Sequence, residues 1–170
     1  MKLSLMVGLC LVFLLIPLHI NSGSVAESKP HFNELASLQA YTTLAHPAVR
    51  VYNAIEVYSK TYNIPRGIAY RVAYKETGYK GPKHYDYNPY LTSTANAYGP
   101  CQIQLLTAKY VMNDDSITKD ELLYNIELNI QISMKYLHQL HERYDNWETA
   151  LGFYNTGYPI VNDYAQFCAK

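Results

Sequence analysis

An apolar stripe in the C-terminal half of the chain narrows the choice of fold more than any other feature. Leu123, Ile126, Ile130, Met134 and Leu137 recur at helical steps between Lys119 and Tyr144. Such steps return side chains to one face of an α-helix, whereas a strand would send them to both faces. The spacing predicts one long helix over Lys119–Tyr144, around which the rest must pack. Upstream, Val51, Ile55, Tyr58 and Tyr62 form a second stripe beyond Pro47, and Asn63-Ile64-Pro65 closes it. Pro65 suits the first turn of a further helix running to Thr77, where Gly78 is placed to end it in the left-handed conformation. Shorter helices are expected over Ile103–Met112, Trp147–Tyr154 and Ile160–Cys168. Between them, Lys80–Gly99 is rich in turn-forming residues and reads as a long loop with a small hairpin; loops of this length in compact domains usually carry function. No segment alternates in the manner of a strand, so the class is mainly α.

The N-terminus follows a different logic. Lys2, an apolar run from Leu3 to Ile20, and the small residues of Ser24-Val25-Ala26 have the layout of a secretory signal peptide. Pro17 and His19 interrupt the run, which argues against a membrane span, so contact with a membrane is expected only through this segment if it stays uncleaved. The expected organisation is a signal peptide at 1–26, a lead-in at 27–46 and one domain at 47–170. The expected location is outside the cytoplasm, periplasmic or extracellular.

Charge excludes a class of partners. Lys+Arg and Asp+Glu number 14 each, and such a balance creates no field to attract nucleic acid or anionic lipid. Tyrosine is abundant, 18 residues against 4 Phe and 1 Trp, and its apolar face with a hydroxyl handle suits both half-buried packing and sugar rings. In an oxidising compartment Cys101 and Cys168 can form a disulfide or can serve as two small buried hydrophobes; spacing does not choose between them.

One carboxylate stands out by position. Ala69, Val72, Ala73 and Glu76 share a helical face, so Glu76 ends an apolar stripe. Burial disfavours its charged form, and so does the partial negative charge at a helix C-terminus. A carboxyl still protonated near neutral pH can act as a general acid. The competing arrangement turns Glu76 outward to pair with Arg71 or Lys75.

Several separate stretches, in order, then resemble one family. Glu76-Thr77 is similar to the catalytic Glu-Ser pair of the soluble lytic transglycosylases, relatives of goose-type lysozyme, and Asn88-Pro89 with Ser93 is similar to their Asn-Pro and downstream Ser. Ala97-Tyr98-Gly99-Pro100-Cys101-Gln102-Ile103 resembles their Ala-x-Gly-Leu-Met-Gln-Ile. Asn129-Ile130, Tyr136-Leu137, Trp147, Ala150-Leu151 and Tyr154-Asn155-Thr156-Gly157 resemble later positions, and the likeness spans residues 52–157. Three departures stand out: Thr77 for Ser, Pro100-Cys101 for Leu-Met, and Phe153 for a small residue.

The resemblance implies a lysozyme-like domain with a long central helix and a loop or hairpin lining a cleft. It implies peptidoglycan glycan strands as the partner and Glu76 as the catalytic acid/base. It also implies that Ser93 orients Glu76, that Gln102 contacts glycan, and that Tyr154 and Asn155 line the opposite wall. A single carboxylate fits cleavage at the MurNAc-GlcNAc β-1,4 bond with formation of a 1,6-anhydro-MurNAc end. No cofactor or metal is expected, and the chain is expected to be a monomer.

Two other readings stay open at this point. Hydrolysis usually employs two carboxylates, and Asp86 is the nearest second acid; its approach to Glu76 would favour a hydrolytic lysozyme. A non-catalytic wall-binding or secretion-apparatus protein could keep the fold without turnover. The pair His138-x-x-His141 occurs freely on exposed helix faces and lacks the acidic companion of a zinc-enzyme motif.

Overall fold

The computed structural model describes residues 44–170. The signal-peptide assignment at 1–26 and most of the 27–46 lead-in therefore lie outside the described residues. Within them the chain forms α1 (Pro47–Thr61), α2 (Arg66–Thr77), β1 (Ala97–Tyr98), β2 (Ile103–Gln104), α3 (Leu105–Met112), α4 (Lys119–Tyr124), α5 (Ile126–Tyr144), α6 (Trp147–Thr156) and α7 (Asp163–Ala169). The class is mainly α, with a two-stranded antiparallel ribbon as its sheet among the described residues.

Helix α5 is the hub. Ile126, Ile130, Met134 and Leu137 are fully buried, and the helix packs against α1, α3, α4 and α6. Arg50 of α1 grips both carboxylate oxygens of Glu127 of α5 through Nε, at 2.9 Å, and Nη2, which fixes the register of the two helices. Helix α2 buries Ile68, Ala69, Val72 and Ala73 and ends as expected at Gly78, whose φ of 73° is left-handed.

The expected single helix over Lys119–Tyr144 is broken at Asn125. Thr118 opens α4 with a reciprocal capping box to Glu121, and Asn125 caps a new helix by accepting from the Leu128 backbone N–H at 3.0 Å. Two strong start signals within a few residues override a continuous apolar period. Leu123 accordingly belongs to α4, and the stripe on α5 begins at Ile126. A second correction concerns Ile103–Met112. Ile103 and Gln104 pair with Tyr98 and Ala97 as a strand, and the helix starts at Leu105. The hairpin thus closes the Lys80–Gly99 loop rather than lying within it.

The hairpin is held by one buried amide. Asn129 of α5 accepts from the Cys101 N–H at 3.0 Å and donates to the carbonyls of Tyr98 (2.7 Å) and Leu122 (3.0 Å). The Asn129 side chain has no solvent exposure, so these bonds satisfy groups that water cannot reach. Gly99 makes that approach feasible, because a Cβ there would lie 2.4 Å from the Leu122 carbonyl and 2.5 Å from Asn129 Nδ2.

Candidate active site

Helix α2 delivers Glu76 to a cleft between the hairpin and α6. The cleft encloses about 430 Å³, and Glu76 is the one carboxylate among its described lining residues. Neither neighbouring cation pairs with it. Arg71 Nε donates to the Cys168 carbonyl at 2.9 Å, and Lys75 Nζ sits 4.5 Å above the Phe167 ring. Both contacts zip α2 to α7, so the cations that could have drawn Glu76 outward are committed elsewhere.

The partner that Glu76 does have is Tyr164 of α7, whose hydroxyl donates to Oε1 at 2.6 Å. Burial raises the Glu76 pKa from 4.5 to about 7, and the Tyr164 hydrogen bond opposes that rise by favouring the carboxylate. Burial dominates, so the protonated form persists toward neutral pH. Because Oε1 accepts from Tyr164, the proton belongs on Oε2, the oxygen left to meet a ligand. Tyr164 itself keeps its proton, since burial and the nearby Glu76 charge push its pKa well upward.

Ser93, Gln102, Tyr154 and Asn155 all line the same cleft as Glu76. Their hydrogen bonds show how each is held. Ser93 does not bond Glu76; its hydroxyl accepts from the Ala97 N–H at 3.1 Å and shapes the turn before the hairpin. The side chain that hydrogen-bonds Glu76 is Tyr164, while the turn serine satisfies the backbone donor four residues on. Gln102 has a φ of 50°, and its amide nitrogen donates to the carbonyls of Gly99 (2.9 Å) and Leu91 (3.1 Å). Both amide hydrogens are spent on the loop, which leaves Oε1 as the group that can receive a sugar hydroxyl.

The far wall is equally fixed. Tyr154 donates to the Cys101 carbonyl at 2.8 Å and lies 2.9 Å from Ser133 Oγ, which therefore acts as the donor between them. Asn155 Oδ1 accepts from Asn162 Nδ2 at 3.0 Å, and Asn162 in turn caps α7 through the Ala165 N–H at 2.9 Å. The end of α6 is thereby tied to the start of the helix that carries Tyr164. Gly152 lets this connection pass close by, since a Cβ there would collide with the Ile160 carbonyl at 1.7 Å.

Thr77 joins α2 to the hairpin. Its hydroxyl lies 2.9 Å from the Pro100 carbonyl, 3.2 Å from that of Ala73 and 2.7 Å from the Tyr87 hydroxyl. A threonine has one proton to give, here to a carbonyl, so Tyr87 donates to it. The departure from Ser at this position retains the hydroxyl that makes the joint.

Asp86 is absent from the cleft. Its side chain is 91% exposed and pairs with His84 Nε2 at 3.3 Å on the loop surface. Cys101 and Cys168 are separate buried thiols rather than a disulfide, and burial pushes each thiol up to about 12, which leaves them unreactive near neutral pH. His141 stacks on Trp147 at 4.0 Å and His138 faces Tyr62 at 6.5 Å, so both rings are packing elements.

Tyr164 is missing from the residues singled out in the sequence because the motifs quoted there end at residue 157. A signal was present: Tyr164, Ala165 and Cys168 fall on one face of a short helix, and a tyrosine on an inward face needs a partner for its hydroxyl. The family described as the transglycosylase SLT domain matches residues 53–166, a stretch that contains both Glu76 and Tyr164. No curated protein and no solved structure matches the chain.

Proposed function

The chain belongs to the transglycosylase SLT domain family, whose members cleave peptidoglycan as lytic transglycosylases, and from that premise we propose that Glu76 alone performs the acid/base chemistry here. The reading rests on one observation: a cleft with a single carboxylate, raised to about 7 by burial. A glycan strand lying in the cleft brings a MurNAc-GlcNAc β-1,4 oxygen to Glu76 Oε2. The acid gives its proton to that oxygen, and the bond to the MurNAc anomeric carbon breaks with oxocarbenium character.

The resulting carboxylate is stabilised by the Tyr164 hydrogen bond. It then removes the proton from the sugar's own 6-hydroxyl, whose oxygen closes on the anomeric carbon as a 1,6-anhydro ring. Atoms balance without water, so no second carboxylate is required, which agrees with the position of Asp86 outside the cleft. A pKa near neutrality suits both half-reactions, because the same group must be acid first and base second. Gln102 Oε1, Asn155 and the aromatic rings of Tyr136 and Tyr154 serve as sugar contacts, and Tyr164 and Thr77 act as positioning residues.

The substrate lies outside the cytoplasm, so the proposal includes export through the N-terminal segment and cleavage after Ala26. Incubation of purified sacculi with the protein tests the assignment. Soluble muropeptides should be released by the wild type and reduced by at least a hundredfold in Glu76→Gln, the order lost with a general acid/base. Equal release by the two proteins would remove Glu76 from the chemistry.

A further inference from the structure

The cleft that holds Glu76 does not end at its own wall. Thr107, Tyr136 and Phe153 line it and also line an adjoining recess of about 320 Å³ between α3 and α5. On α5, Tyr136, Gln139, Leu140 and Arg143 stand at i, i+3, i+4 and i+7, so one helical face floors this recess from the shared wall outward. Leu106 and Tyr110 of α3 supply an apolar side and are 81% and 70% exposed. Arg143 is the one charged group among the described residues that line it.

Arg143 makes no ion pair among the described residues. Its guanidinium lies 6.0 Å from the centroid of the Phe153 ring, at the outer reach of a cation–π attraction, and its hydrogen-bond partners are the neutral hydroxyls of Tyr144 and Tyr110.

We infer that the recess is a specificity site for the peptide stem of the substrate, with Arg143 receiving a stem carboxylate and Leu106 and Tyr110 contacting its alanyl methyl groups. This rests on the peptidoglycan reading above. Charge decides the occupant. In an intact strand the lactyl carboxyl of each MurNAc is tied up as an amide, so the glycan is neutral and every free carboxylate belongs to a stem. A neutral sugar gives a guanidinium without a counter-charge nothing to neutralise, whereas a stem offers an anion and small apolar groups together.

The test compares native sacculi with sacculi whose stem carboxylates have been converted to primary amides, using wild type, Arg143→Gln and Leu106→Glu. Both substituted positions are exposed, so neither change threatens folding. On native sacculi each variant should lower kcat/KM about threefold to fivefold, the size expected of one exposed charged contact. On amidated sacculi wild type and Arg143→Gln should act alike, at the rate of Arg143→Gln on the native material, while Leu106→Glu, which also loses the methyl contact that amidation leaves intact, should stay slower than both. An Arg143→Gln loss that is equal on both substrates, or no loss by either variant on native sacculi, would overturn the assignment. Should the wild type release nothing from either, the catalytic reading fails separately, and co-sedimentation decides the recess: it stands if wild type binds native sacculi more tightly than amidated ones and Arg143→Gln does not.

Discussion

Replacing Glu76 by Gln should make the protein more stable at alkaline pH while removing its activity. The folded carboxyl titrates at about 7 against an ordinary 4.5, so between these values the folded state holds more protons than the unfolded state. Unfolding therefore becomes easier as pH rises through this window, and the penalty is complete above about pH 7. At 1.36 kcal/mol for each tenfold step the full cost is about 3 kcal/mol. Glutamine keeps an oxygen to accept from Tyr164 and cannot ionise, so it escapes this cost. Urea unfolding at pH 5 and pH 8 measures it: the advantage of Glu76→Gln over wild type should grow by about 2 to 3 kcal/mol between the two. A difference that stays constant with pH would mean that Glu76 is already charged and solvated in the folded protein, and the general-acid argument would go with it.

Other changes give outcomes of equal clarity. Tyr164→Phe removes the bond that favours the carboxylate, so the alkaline limb of the pH–rate profile should move to higher pH while kcat falls about tenfold; an unmoved limb would deny Tyr164 its positioning role. Asp86→Asn should leave kcat and product unchanged within about twofold in the sacculus assay, because Asp86 lies on the loop surface. Asn129→Ala strands the Cys101 N–H and the Tyr98 and Leu122 carbonyls, and thermal or urea unfolding should register a loss of about 3 kcal/mol or more. Gly99→Ala should destabilise comparably, since its Cβ meets backbone rather than a flexible chain end.

The helices were legible wherever an apolar period and a stop signal agreed. Val51 and Ile55 marked α1, and Gly78 marked the end of α2, because periodic burial and a left-handed stop act within one element. The break at Asn125 was hidden because the apolar spacing runs on across it; its one local signal is Asn125 itself, a residue type that caps helices, since Thr118 and Glu121 mark only the start of α4. Ile103–Gln104 was misassigned for a different reason. A strand of this length owes its existence to pairing with Ala97–Tyr98 and to Asn129 behind it, and neither partner is local.

The cleft was readable in part. Glu76 stood out because the apolar face that buries it lies on its own helix, and Ser93, Gln102, Tyr154 and Asn155 came from ordered likeness to a family. What ordering does not convey is hydrogen-bond allegiance. Gln102 spends its donors on Gly99 and Leu91, Ser93 serves Ala97, and Tyr164 reaches Glu76 from 88 residues away. Such contacts depend on how α2, α7 and the hairpin meet, which no local pattern encodes.

The central claim is that one acid does both proton transfers and water takes no part. Mass spectrometry of the muropeptides released from sacculi addresses it directly, because an intramolecular ring closure and a hydrolysis differ by one water. The account predicts fragments lighter by that water, with 1,6-anhydro-MurNAc termini and no new reducing ends. Hydrated fragments carrying reducing MurNAc would contradict it and would require a second catalytic group that brings water to the anomeric carbon.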